Sequence, residues 1–131
     1  MKEIVFDIET DGLLCDVTTI HCLSYKIIGE SSVKTLTNPQ DIVKFFLQKD
    51  VTYIGHNIIL YDYQVTNKLL QVTPPFYTID TLPLSWYLYP LRDSHSLESW
   101  GIELEKMKVK IDDWKGLKKE DYIIRSERDV E

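Results

Sequence analysis

Asp7 and Glu9 flank Ile8 at the end of a short β-branched and aromatic run, Glu3 to Phe6. Residues two apart in a strand face the same side, so the two carboxylates project together while Ile8 turns to the core. Side by side they repel, and each tends to hold its proton unless a cation sits between them. An oxygen-only set of this kind suits Mg²⁺ or Mn²⁺, not Zn²⁺. Taken alone, Asp-Ile-Glu fits an acidic strand-end turn equally well. A second acid, Asp62, closes the segment Gly55-His56-Asn57-Ile58-Ile59-Leu60-Tyr61-Asp62. An acid in a first helical turn complements the helix dipole, yet that does not account for Gly-His-Asn before it. A third, Asp129, lies in Arg125-Ser126-Glu127-Arg128-Asp129-Val130-Glu131, where a charge-rich helix end also describes a solvated face.

These acids need elements to bring them together. Glu3–Phe6 reads as a strand, Asp11-Gly12 as a turn, Thr18–Ile28 and Val33–Leu36 as two more strands around a Gly29–Ser32 turn. The first three strands make an antiparallel meander. Asn38-Pro39 starts a helix with Ile42, Val43, Phe46 and Leu47 at helical spacing. Val51–Ile54 is a fourth strand ended by Gly55, and Leu60–Leu70 a helix carrying Tyr61, Val65, Leu69 and Leu70. Phe76–Ile79 is a short strand, and Asp80 opens an apolar helix that Pro90 stops. Ser94–Trp100 is a short helix ending at Gly101, residues 106–118 are loop-like, and 119–131 form a polar last helix that stops early. This order predicts an α/β fold: a mixed sheet, meander plus helix-linked strands, with helices on its faces.

The 131 residues fit one domain, 1–131, large enough for a core without staples. No apolar run of about 18 residues occurs, so no membrane helix is expected, and with charge inside the first apolar stretch no signal peptide is expected either. Two cysteines without metal-like spacing suggest a reduced, cytoplasmic protein. The net charge of −6 is awkward for binding phosphates. Either the chain never meets nucleic acid, or its carboxylates cluster around cations, which makes the site locally less negative.

Together the motifs favour the second. Asp7-Ile8-Glu9-Thr10, His56-Asn57 with Tyr61-Asp62, and the late Asp129-Val130 resemble the three exonuclease motifs of the DEDD superfamily, whose fold is ribonuclease-H-like. Ile79-Asp80-Thr81-Leu82 and Ser94-His95-Ser96-Leu97-Glu98-Ser99-Trp100-Gly101, with Glu105-Lys106-Met107-Lys108 after them, resemble proofreading domains of bacteriophage A-family DNA polymerases. The resemblance spans nearly the whole chain in order. It implies a 3′→5′ exonuclease that releases nucleoside monophosphates from single-stranded DNA ends during DNA replication. Asp7, Glu9, Asp62 and Asp129 would hold two Mg²⁺ or Mn²⁺ ions on the last phosphodiester. Thr10, Leu13, Leu14, His56, Asn57 and Tyr61 would meet the strand, with Leu13, Leu14 and His21 wedging the terminal base; His56 and Asn57 could instead position Asp62. Asp80 matches a supporting acid and reads as a helix N-cap; His95 reads as a structural cap.

The resemblance also departs from its family. Relatives carry Tyr or His four residues before the last acid to orient the attacking water; here that position is Arg125, which stays protonated and could bind a phosphate instead. Replacing Arg125 by Tyr is expected to raise turnover. The short last helix suggests anchoring by a polymerase subunit or by self-association. Rival readings are an exoribonuclease or oligonucleotide scavenger of the same superfamily and a catalytically weakened accessory domain of a split polymerase. A glycosidase-like use of Asp7 and Glu9 leaves the other motifs unexplained. Trp86, Tyr87, Tyr89 and Trp114 are candidates for base stacking, and the lysines of 106–119 are the one basic-rich region.

Overall fold

In the computed structural model, which describes residues 2–72, 77–104 and 130, five strands form one sheet in the order β3-β2-β1-β4-β5. β1 (Lys2–Thr10), β2 (Ile20–Ile27) and β3 (Lys34–Leu36) are the expected antiparallel meander, joined through pairs such as Ile8–Leu23 and Ser24–Thr35. β4 (Val51–Gly55) and β5 (Thr78–Asp80) add in parallel, with Ile4 opposite Tyr53 and Ile54 opposite Ile79. Parallel pairing demands a crossover. α1 (Pro39–Phe46) lies in the connection from β3 to β4, and α2 (Tyr63–Leu70) in the one from β4 to β5. α3 (Thr81–Leu88) and α4 (Leu97–Glu103) follow.

The alternation of β1 buries Ile4, Phe6 and Ile8 on one face. Phe6 is the hub. Phe45, Phe46, Tyr53 and Tyr63 surround it at ring-centre distances of 5.2–6.1 Å, mostly edge to face, the geometry aromatic quadrupoles favour. Tyr53 hides its hydroxyl by donating to the Phe45 carbonyl at 2.5 Å. Burial pushes the Tyr53 phenol up to about 12. α1 begins as its sequence predicts: Asn38 accepts the Gln40 N–H at 2.9 Å and Pro39 follows it. Its buried face is Ile42, Phe45 and Phe46, while Leu47 is 65% exposed at the C-cap.

Several boundaries differ from the sequence expectation: β2 spans Ile20–Ile27 rather than Thr18–Ile28, and β5 runs on to Asp80, with the next helix starting at Thr81. β1 runs four residues past Phe6, so Asp7 and Glu9 lie within the strand. The single helix expected over Leu60–Leu70 is a five-residue π-turn, Ile58–Asp62, followed by α2. The helix expected over Ser94–Trp100 starts at Leu97 and continues through Gly101 to Glu103, because Ser96, not Ser94, accepts the Ser99 N–H. The expected loop over 106–118 lies outside the described residues. Of the last helix only Val130 is described; it is helical and buried.

Candidate active site

Three parallel strands end at one edge of the sheet, and each delivers an acid there. β1 pairs with β4 only as far as Val5–Ile54, so Asp7 and Glu9 extend past the end of β4. β5 ends on Asp80, opposite Gly55. The chain leaving β4 turns through Gly55, His56 and Asn57 into the π-turn whose last residue is Asp62. The crevice beyond the carboxyl ends of parallel strands is where open α/β sheets place ligands.

Gly55 makes the turn possible by close approach. A Cβ there would lie 2.3 Å from Ile58 Cγ2 and 3.1 Å from the Phe6 carbonyl oxygen. Asn57 then takes a left-handed conformation, φ 60°, which Asn tolerates better than most residues. The π-turn swings Asp62 towards β1, where the Ile8 backbone N–H donates to its carboxylate. Asp62 occupies the N-cap position of α2 but makes no side-chain cap hydrogen bond. Helix-start stabilisation therefore does not explain it.

Asp62 is 4% exposed. Burial, opposed by the Ile8 hydrogen bond and reinforced by the nearby charges of Glu9 and Asp80, holds its carboxyl well above the usual carboxylate range. Its Oδ2 is buried and has no hydrogen-bond partner among the described residues. Glu9 is buried as well and Asp7 is half-buried. A buried oxygen lacking a donor, beside a second carboxylate, matches the coordination needs of a hard divalent cation. Among the described residues no three Asp, Glu, His or Cys side chains form a metal cage. Mg²⁺ commonly takes one or two protein carboxylates and completes its shell with water and phosphate oxygens, so the Glu9–Asp62 pair fits it. Asp129 and Arg125, expected in the same set, lie outside the described residues.

The residues expected to meet a strand are distributed as follows. Thr10 Oγ1 lies 2.5 Å from the Tyr61 hydroxyl, and both reach the Gly12 carbonyl, at 3.0 and 2.6 Å. They tie the β1–β2 loop to the π-turn. Burial, more than the Thr10 hydrogen bond can offset, raises the Tyr61 phenol. Leu13 stands 72% exposed on that loop, whereas Leu14 packs against the core. Asp11 pins the loop base by accepting from the Thr18 hydroxyl and from the Thr18 and Thr19 amides at 2.8 and 3.0 Å. These bonds, the Thr18 hydroxyl first, lower its carboxyl to about 2. His21 is half-buried on β2. His56 Nδ1 lies 2.9 Å from Thr81 Oγ1, which itself donates to the Gly55 carbonyl at 3.1 Å.

Other polar residues were legible only in part. Asp80 is the N-cap of α3, as read from sequence, and accepts from Leu82 N–H at 3.0 Å. It also accepts from Asn57 and Ile59, which no local pattern signals. His95 is not the cap of α4. It is buried, stacks on Trp86 at 3.8 Å and sits 2.6 Å from Ser85 Oγ, which also accepts from Trp100 Nε1. This cluster joins α3 to α4. Of the stacking candidates, Trp86, Tyr87 and Tyr89 are 55%, 83% and 55% exposed, and Trp114 lies outside the described residues, as do the lysines of 106–119. At the end of α3 a groove of about 450 Å³ is lined by Tyr89, Pro90, Leu91, Arg92, Trp100 and Glu103, with the Arg92 guanidinium 3.8 Å over Trp100.

Solved structures share this architecture. Brucella melitensis NrnC bound to pGG superposes with a TM-score of 0.78 at 18% identity, over 98% of this chain and 66% of that one. The fold is that of the ribonuclease-H-like nucleases. NrnC with bound Mg²⁺ gives 0.74 at 18% identity and the same coverage, 98% and 66%. A product-bound exonuclease I gives 0.57 at 16% identity, over 77% of this chain and 37% of that one. The chain thus spans about two thirds of the length of NrnC. No family model and no curated protein matches it in sequence. The ribonuclease-H-like fold accounts for the mixed five-stranded sheet with helices. Among the described residues, no helix is long and apolar enough to cross a membrane.

Proposed function

We propose that the chain is a metal-dependent 3′→5′ exonuclease acting on short single strands. One observation carries this: Asp62, turned back towards β1 where the charge of Glu9 acts on it, is buried with an oxygen that no described donor satisfies. Such a pair is unfavourable unless a cation compensates it. Asp7, Glu9 and Asp62, with Asp129, would hold two Mg²⁺ or Mn²⁺ ions. When bound, such ions lower the pKa of a water and stabilise the leaving 3′ oxygen.

The chain itself supplies position and exclusion of water. Thr10 and Tyr61 hold the loop that presents Leu13, an apolar tip able to press on the terminal base. The exposed rings of α3 offer surfaces on which further bases stack, a grip that tolerates any sequence. In the sequence Arg125 stands where the resemblance puts a Tyr or His that orients the attacking water, and it would bind a phosphate instead.

DNA is the favoured substrate on the strength of the Ile79–Leu82 and Ser94–Gly101 motifs, which also carry the reading as a phage proofreading domain working beside a polymerase subunit. A second reading, a scavenger of short RNA, is supported by the likeness to NrnC, solved with pGG. End-labelled DNA and RNA oligomers from two nucleotides upward, incubated with Mn²⁺, test both. Stepwise loss from the 3′ end that disappears in Asp7→Ala supports the nuclease, and the preferred sugar chooses the substrate. Cleavage unchanged in Asp7→Ala, or none with either polymer, overturns it.

A further inference from the structure

Asp80 is joined to more than the helix it caps. Its Oδ1 accepts the Leu82 N–H at 3.0 Å and the Asn57 N–H at 2.7 Å, and its Oδ2 accepts the Ile59 N–H at 3.0 Å. Asn57 is the cap of the π-turn and Ile59 its second residue, and the first amides of any helical segment have no partner within it. Asn57, at the cap position of that turn, makes no side-chain cap hydrogen bond. The missing cap comes from 21–23 residues downstream. Thr81, the next residue, grips the same turn through the Gly55 carbonyl and His56.

We propose that Asp80 is a positioning residue: one buried carboxylate caps α3 and the π-turn together, and so sets where the π-turn places Asp62. This rests on the reading of that pair as a cation site, but the clamp can be tested without it. A π-turn is an uncommon conformation and needs an outside constraint to persist. Three charge-assisted hydrogen bonds accepted by a group that is 7% exposed are such a constraint. The charge of Asp80 also adds negative potential at Asp62 without using an oxygen that a cation would take.

Asp80→Asn separates this role from simple capping. Asn is as good an N-cap as Asp, so a residue serving α3 alone would tolerate the change. Asn keeps one acceptor for Leu82 and Asn57, but its amide group then faces the Ile59 N–H, donor against donor. In the metal-free variant, hydrogen exchange at Ile59 should accelerate about tenfold or more, a loss of the order expected for a hydrogen bond to a charged group, while Leu82 stays protected. Mn²⁺ affinity, by calorimetry, should fall roughly 10–100-fold, as when groups orienting metal ligands are removed. The maximal rate should fall with it and KM for the oligomer should change little. Wild-type exchange at Ile59 in Asp80→Asn overturns the proposal whatever the metal does. If the wild-type protein binds no Mn²⁺ the nuclease reading falls, and the Ile59 exchange still decides the clamp.

Discussion

Gly55→Ala probes the tightest point of the site. The backbone at Gly55 is one that alanine adopts freely, so restricting the unfolded chain would by itself stabilise the protein by about 0.4–1 kcal/mol. The added methyl, however, would lie 2.3 Å from Ile58 Cγ2 and 3.1 Å from the Phe6 carbonyl. Neither neighbour yields easily: Ile58 is 0% exposed, and the carbonyl belongs to the central strand. Overpacking of this kind costs about 1–3 kcal/mol. The net expectation is destabilisation by about 1–2 kcal/mol, a fall of roughly 3–10 °C in Tm for a domain of this size. Urea melts with an unchanged slope would report it. Ile58 opens the π-turn, so its displacement should carry Asp62 with it, and a misplacement of about 1 Å can cost about a hundredfold in rate. A double-mutant cycle with Ile58→Ala should show coupling, because removing the Ile58 branch makes room for the new methyl. Gly55→Ala as stable and as active as the wild type would refute the argument that close approach determines this turn.

Three further outcomes follow from the same contacts. The carboxyl of Asp62 is raised on folding, so in metal-free protein stability should fall as pH rises from the unfolded value of 3.8 to the folded pKa and stay low above it. Asp62→Asn should therefore melt higher than the wild type at pH 7 without metal, match it at pH 3, and lose cleavage; a lower Tm at pH 7 would contradict the burial argument. Asp11 has the opposite sign: its stabilisation is present above 3.8 and lost as pH falls towards about 2. Asp11→Asn should melt below the wild type at pH 6, with the gap closing on acidification in a thermal scan. Tyr53→Phe removes the hydroxyl's bond to the Phe45 carbonyl, which keeps the Gln48 side-chain donor, and the bond that the hydroxyl accepts from the Gln48 backbone. It should cost about 0.5–1.5 kcal/mol by denaturant titration without changing cleavage; a loss above about 3 kcal/mol would mean the carbonyl is left unsatisfied.

Much of this protein follows from local pattern. The pairing of Asp7 with Glu9 needs only the two-residue period of a strand, the meander only its turn residues, and the start of α1 only Asn38-Pro39. Asp80 as the cap of α3 is equally local. The rest depends on partners distant in the chain. A run of Ile, Leu and Tyr reads as ordinary helix, and it becomes a π-turn where Asp80, 21–23 residues away, accepts its first amides and Gly55 lets it approach β1. The sequence places the start of this helix at Ser94; Ser96 caps α4 in a fold where His95 packs on Ser85 and Trp86. Sequence alone decided which acids exist and which face of a strand they share. Only tertiary structure decided that Asp62 is buried beside Glu9, because desolvation and charge repulsion depend on distances that no spacing along the chain contains.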